Sequence, residues 1–352
     1  MGFLTMNTML HMSALALTAV AASYLGVAII RRWAGRARML DVPNERSSHT
    51  RPTPRGGGLA IVIVVLVLTW LVALSNPAFP LRATVALTLG ALLIAGISWL
   101  DDMRPVPFWV RLLVHALGAC VAMAGIGIIR EIGLPFGIDL PLGWLGFPLT
   151  LLWIVGLTNA YNFMDGIDGI AGGQTVVAGV GWAILGWIGG QPMVGVMGLL
   201  IAAAGVGFLG HNWPPARIFM GDVGSAFLGF SFAALTVLAS QSDPIFFLAG
   251  IALIWPFAFD AAITFARRLC RGEKVWVAHR SHFYQRLVIS GLSHGQVSGV
   301  YIGLAMLGLV WAVALVQRWS HMAATVAVVI LVAALSLWAW TYRRERSMHQ
   351  LT

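Results

Sequence analysis

Five aspartates lie at the ends of apolar runs in a chain where charged residues make up only 10%. Asp101 and Asp102 close one run, Asp165 and Asp168 separate two others, and Asp222 opens a fourth. A carboxylate beside hydrocarbon is costly, so each needs a reason. If the runs pack side by side, the five carboxylates meet in one pocket, where like charges repel unless something positive compensates them. A hard divalent cation is the usual remedy, and Mg²⁺ typically takes one or two carboxylates together with substrate phosphates. Such a pocket is suited to phosphate chemistry. The plainer reading, N-caps or solvated loop charges, suits a lone aspartate but not five at three neighbouring helix ends.

Other polar segments fit the same chemistry. Gly56-Gly57-Gly58 follows Arg51-Pro52-Thr53-Pro54-Arg55, and Asp165-Gly166-Ile167-Asp168-Gly169 recurs in miniature as Gly221-Asp222-Val223-Gly224-Ser225. Glycine lets backbone amides approach a phosphate closely, although plain turns between helices would use the same residues. No Walker or Rossmann spacing is present, so nucleotide binding by those modes is unsupported. His279-Arg280-Ser281-His282-Phe283-Tyr284-Gln285-Arg286 sets two histidines and two arginines within one loop. That loop can bind a diphosphate by charge-assisted hydrogen bonds or attract anionic lipid headgroups. His11, His115, His294, His321 and His349 lack such company and read as structural or interfacial. The two cysteines, Cys120 and Cys270, offer neither a disulfide framework nor a metal-ligand spacing.

The elements that position these residues are membrane spans. Hydrophobic residues make up 59% of the 352, more apolar surface than a soluble core of this size can hide. The chain reads as all-α, one polytopic transmembrane domain over 1–352. Eleven spans are expected near 8–30, 57–75, 82–100, 108–129, 145–163, 169–189, 192–211, 223–240, 244–266, 296–316 and 321–341, with ten as the alternative count. Basic residues sort by side: the loops near 31–56, 101–111, 160–172, 212–222 and 267–295, with the C-terminal tail, hold nineteen of the 22, leaving Arg82, Arg130 and Arg318 opposite. The positive-inside rule makes the richer side cytoplasmic, with the N-terminus outside and the C-terminus in the cytoplasm. The net charge of +9 is thus a topology signal rather than a nucleic-acid surface. The first run has no Lys or Arg before it and four arginines close after it, the reverse of a cleaved signal peptide.

Several motifs in this order resemble the polyprenyl-phosphate N-acetylhexosamine-1-phosphate transferases. They are Asp41-Val42-Pro43-Asn44 with the glycine triplet, Asp101-Asp102, Asn159-Ala160-Tyr161-Asn162-Phe163-Met164-Asp165-Gly166-Ile167-Asp168-Gly169, Phe219-Met220-Gly221-Asp222-Val223-Gly224-Ser225 and His279-Arg280-Ser281-His282. The resemblance runs from about Asp41 to Arg286. It implies transfer of a sugar 1-phosphate from a UDP-sugar to undecaprenyl phosphate, releasing UMP, with Mg²⁺ as cofactor and Mn²⁺ as a substitute. The expected setting is the cytoplasmic face of a bacterial inner membrane, with a homodimer as one arrangement and no nucleic-acid partner. It further implies Asp222 as the Mg²⁺ ligand and Asp101 and Asp102 as a catalytic pair, one of them taking a proton from the lipid phosphate. Asn159, Asn162, Asp165, Asp168, Asn212 and Phe219 are expected at the donor, the last five around its uridine and ribose. His279, Arg280 and His282 are expected by its diphosphate or sugar.

The histidine loop departs from the pattern. His279 stands where common-antigen enzymes carry aspartate, and Tyr284-Gln285 replace a histidine pair. Ala278-His279-Arg280-Ser281-His282 is most similar to O-antigen initiators that use 6-deoxy-N-acetylhexosamines, which leaves the donor sugar open. A phospho-N-acetylmuramoyl-pentapeptide transferase is the alternative within the family. A secondary transporter would place its carboxylates near the midplane and show inverted repeats, neither of which the sequence displays. Asp165-Gly166-Ile167-Asp168-Gly169 also resembles a metal-binding run of CDP-alcohol phosphotransferases, but residues 170–190 lack the further aspartates that run requires.

Overall fold

The computed structural model describes residues 6–37, 39–43, 51–274 and 279–349. Asn44, Glu45 and Ala278, which belong to segments singled out above, lie outside the described residues. The elements are α1 (Met6–Arg36), β1 (Leu40–Asp41), β2 (Thr53–Pro54), α2 (Gly58–Ala73), α3 (Leu81–Met103), α4 (Phe108–Ile126), β3 (Glu131–Leu134) and β4 (Ile138–Pro141). There follow α5 (Gly146–Phe163), α6 (Ile170–Ile188), α7 (Pro192–Asn212), α8 (Asp222–Ser240), α9 (Ile245–Leu253), α10 (Trp255–Cys270), α11 (Phe283–Ile289), α12 (His294–Val316) and α13 (Ser320–His349). The only sheets among the described residues are two antiparallel hairpins, β1–β2 and β3–β4, so the all-α reading holds.

Nine of these helices are long and apolar enough to cross a membrane, judged by length and composition. The expected ninth span is not one straight helix: α9 and α10 meet at a bend of 80°. Pro256, in the first turn of α10, lacks the amide that would continue the ladder and crowds the carbonyl of Ala252. The expected second span, α2, has 16 residues, about 24 Å of helix against a hydrocarbon core of about 30 Å. All eleven expected runs are therefore helical, but one is broken and one is short. Asp101 and Asp102 lie within the last turn of α3 rather than after it.

α8 is the central helix, with 89% of its apolar stretch buried, whereas α1 and α13 at the periphery bury 17% and 22%. Small residues let the helices around it close up, as membrane helices require where lipid is as apolar as leucine. A Cβ on Gly186 of α6 would stand 2.2 Å from the backbone nitrogen of Gly195 on α7. A Cβ on Gly58 of α2 would stand 2.3 Å from Cα of Gly224 on α8.

The bundle has two unlike ends. One carries the β3–β4 hairpin, the Gln241 amide on the Ile128 carbonyl at 3.0 Å, and an Arg318–Asp243 ion pair at 2.9 Å. The other gathers the C-terminal ends of α3, α5, α7 and α10 and the N-terminal ends of α4, α6, α8, α11 and α12. Alternating up-and-down helices must sort their ends in this way, and all five end-of-run aspartates fall at the second end.

Candidate active site

At that end, Arg111 on the first turn of α4 reaches two carboxylates from other elements. Its Nη1 donates to Asp101 on α3 and, at 3.2 Å, to Asp222 on α8. The other Asp101 oxygen accepts the backbone N–H of Val106 at 2.6 Å, which fixes the turn from α3 into α4. Asp102 does something different. Its two oxygens accept the amides of Asp222 at 3.1 Å and Val223 at 3.0 Å, capping the N-terminus of α8 from another helix. A carboxylate there also suits the positive end of the helix dipole. Gly221, at φ +77°, permits this approach, since a Cβ would lie 2.6 Å from Asp102 Oδ2. Arg55 donates to the Asp102 carbonyl, tying the β2–α2 segment to the same point.

The glycine-rich segments are engaged by protein partners. The amides of Gly57 and Gly58 donate to the carbonyls of Phe219 and Met220 at 2.9 and 2.8 Å, and the Phe219 amide donates to Pro54 at 2.8 Å. Those two amides are therefore not free to cradle a phosphate. They lace the β2–α2 segment and the α7–α8 loop together and set Phe219 beside α2.

Asp165 follows α5 in the short turn into α6. Its carboxylate has no hydrogen-bond partner among the described residues. Burial, and then the charges of Asp222, Asp102 and Asp168, push its carboxyl well above the usual range. This accumulation of negative charge is what the sequence leads one to expect. Asn162, one turn earlier, accepts a 2.8 Å hydrogen bond from Ser225 Oγ on α8. Among the described residues no three His, Cys, Asp or Glu side chains are grouped to hold a metal ion by themselves. The set fits a cation that takes one or two carboxylates and completes its shell with substrate oxygens.

The remaining expected donor residues divide. Asp168 accepts the Ala216 amide at 3.0 Å and lies 3.3 Å from His294 Nδ1, so it fastens the α7–α8 loop and α12 to this turn. Asn212 accepts from Gly169 N and donates to the Ile218 carbonyl, both at 3.0 Å, bracing the same loop from within. Asn159 lies one turn back along α5, with its amide on the Val155 carbonyl at 2.8 Å and 3.3 Å from His115 Nδ1. It is not joined to the carboxylate cluster by any of these contacts. His279 stacks on His282 with ring centroids 5.0 Å apart, and His282 stacks on Tyr284 at 5.8 Å. Tyr284 in turn donates to the Phe163 carbonyl at 2.9 Å, bringing the Arg280-containing loop against the Asp165 turn. Burial, then the charges of His282 and Arg268, lower His279 to about 4, so it is neutral at pH 7.

Two residues of this end belong to no sequence motif. Arg111 is one of the nineteen basic residues on the richer side, and nothing in its sequence context singles it out. Asp260 belongs to none of the motifs above, although an aspartate within an apolar run is itself a signal of function.

The family model described as glycosyl transferase family 4 matches residues 84–240, from α3 through α8. A Bacillus subtilis (strain 168) relative, named probable undecaprenyl-phosphate N-acetylglucosaminyl 1-phosphate transferase, is 34% identical over 76% of this chain and 74% of its own. The chain belongs to the polyprenyl-phosphate hexosamine-1-phosphate transferases. Within that family, a phospho-N-acetylmuramoyl-pentapeptide-transferase of Synechococcus sp. (strain JA-2-3B'a(2-13)) is 30% identical over 87% of this chain and 91% of its own. A decaprenyl-phosphate N-acetylglucosaminephosphotransferase of Mycobacterium leprae (strain TN) is 28% identical over 80% and 76%. The matched stretch contains the five aspartates of the carboxylate cluster and its turn, and Arg111, so the family resemblance and the site's geometry fall on the same residues of this transferase.

Proposed function

We propose that this transferase moves a sugar 1-phosphate from a UDP-linked N-acetylhexosamine, or its 6-deoxy relative, to undecaprenyl phosphate. The products are undecaprenyl-diphosphate-sugar and UMP, formed at the cytoplasmic face of a bacterial inner membrane to begin O-antigen or a related envelope polysaccharide. The observation that carries this reading is Arg111 held between Asp101 and Asp222, with the unpartnered Asp165 beside them, at one end of a membrane bundle.

In the reaction, an oxygen of the lipid phosphate attacks the sugar-bearing phosphorus of the donor. The bond from that phosphorus to the bridging oxygen breaks, and the electron pair leaves with UMP. Two anions must meet, so positioning and charge neutralisation supply most of the catalysis. Asp222 and Asp165 would hold Mg²⁺ or Mn²⁺, which when bound neutralises charge on the diphosphate and the departing UMP. The Arg111 guanidinium, charged at every working pH, has the fork geometry to take phosphate oxygens in exchange for a carboxylate. Asp102 acts one step removed, since its capping bonds set where α8 presents Asp222. Asp101 is then the better placed of the pair to accept a proton. That duty is light, because a phosphate monoester with a second pKa of about 6 is mostly dianionic at neutral pH. Asn162 and Phe219 remain donor contacts in this reading, His279, Arg280 and His282 face the diphosphate or sugar, and Asn159, Asp168 and Asn212 support them from behind.

A donor panel in membranes tests the proposal. Radiolabelled UDP-N-acetylglucosamine, a 6-deoxy-N-acetylhexosamine donor and the muramoyl-pentapeptide donor would each be offered with undecaprenyl phosphate. Mg²⁺-dependent label in the lipid fraction with equimolar UMP is the expected result. Product from the muramoyl donor alone would move the reading toward the activity for which the Synechococcus relative is named. No lipid product from any UDP-sugar, with folded protein, would refute it.

A further inference from the structure

Asp260 is fully buried, yet it belongs to none of the segments discussed as carrying the chemistry. It stands shortly after the 80° break between α9 and α10. Its Oδ1 accepts from Phe283 N at 3.0 Å and Thr264 Oγ1 at 3.2 Å, and lies 3.0 Å from His282 Nδ1. Its Oδ2 accepts from Tyr284 N at 3.2 Å and Tyr301 Oη at 2.5 Å. An ionised carboxylate can only accept, so Nδ1 of His282 carries the proton. The other ring nitrogen, Nε2, has no partner among the described residues. It therefore offers a lone pair, or a second N–H when the ring is protonated. The same carboxylate holds the backbone at 283 and 284, which seats Tyr284 over Gly166, where a Cβ would come within 2.1 Å of the phenol oxygen.

We propose that Asp260 is a positioning residue for the nucleotide-sugar donor: it sets the tautomer and direction of His282 and docks the histidine loop onto the Asp165 turn. This rests on the transferase reading above. It deepens that reading by naming a buried residue that never meets substrate but decides how His282 meets the donor's diphosphate or sugar.

Steady-state kinetics of Asp260→Asn, His282→Ala and the double variant provide the test. Asparagine keeps the volume but turns one accepting oxygen into a donor. The expected result is a KM for the UDP-sugar raised roughly 10-fold or more, as for other partners that orient a histidine. The KM for undecaprenyl phosphate should be unchanged. In the His282→Ala background the Asn substitution should add less than two-fold, because coupled residues are not additive. Wild-type kinetics, or the same penalty in both backgrounds, would overturn the proposal. Should Asp260→Asn fail to assemble, ¹⁵N-histidine NMR of the intact protein, assigned with His282→Gln, serves instead. A protonated Nδ1 on His282 is expected, and an Nε2–H tautomer would refute the proposal. Absence of transfer by wild-type protein with every donor would instead count against the reaction, while the tautomer measurement would still stand.

Discussion

At the scale of single residues, the acids at the acid-rich end of the bundle do separate jobs that their spacing conceals. Asp101 and Asp102 are neighbours in sequence, but one pairs with Arg111 while the other caps α8. Asp222 meets Arg111 and accepts no backbone amide among the described residues; in the proposed reaction it would hold the cation together with Asp165. Asp222→Asn should lower transfer by about 10²–10³-fold or more while the protein inserts and folds, as expected for removing a preorganised charge. Near-wild-type turnover would remove Asp222 from the metal role. His279 gives a pH prediction of definite sign. Unfolded, a histidine takes its proton near 6.5, whereas folded His279 does so only at about 4. Its contribution is therefore neutral above that window and opposes folding as pH falls from 6.5 towards 4. His279→Gln should accordingly narrow the gap between melting midpoints measured at pH 7.5 and pH 5.

At the scale of elements, the site depends on how closely α2 and α8 approach. Gly58 and Gly224 touch, and the loops on either side are laced by the Gly57 and Gly58 amides. Gly58→Ala should push α2 off α8 and lower stability by about 1–3 kcal/mol, the usual effect of overpacking. Gly96→Ala on α3 is the matched control, since its Cβ would meet nothing within 4 Å. Detergent melting curves that do not distinguish the two would refute this account of the crossing. The eleven apolar runs were legible because 20-residue hydrophobic segments have few other uses. The break at α9–α10 was signalled only by Pro256, which can kink a span or simply begin one.

At the scale of the whole molecule, the sorted helix ends make orientation a testable property. Cys270 ends α10 at the acid-rich end and Cys120 lies within α4. In the proposed orientation, a membrane-impermeant maleimide should label Cys270 in inverted vesicles but not in intact cells. A Ser242→Cys variant, at the hairpin end, made in a Cys270→Ser background, should show the reverse. Labelling of Cys270 from outside intact cells would invert the assignment.

Composition and order alone determined that this is a helical membrane protein, where its runs lie, and that the aspartates at the ends of those runs share one side. Those properties follow from hydrocarbon excluding charge, which acts locally on each segment. The motif order by itself also points to the family. Tertiary structure decided which carboxylate pairs, which caps and which stands without a donor. It also showed that Asp168 and Asn212 brace loops, and that Asp260 accepts the amides of Phe283 and Tyr284 at the end of the histidine loop. Those outcomes depend on contacts between helices distant in sequence, Arg111 with Asp222 and Asp260 with His282 among them. A carboxylate's role is set by the donors that reach it, and those arrive only when the helices pack.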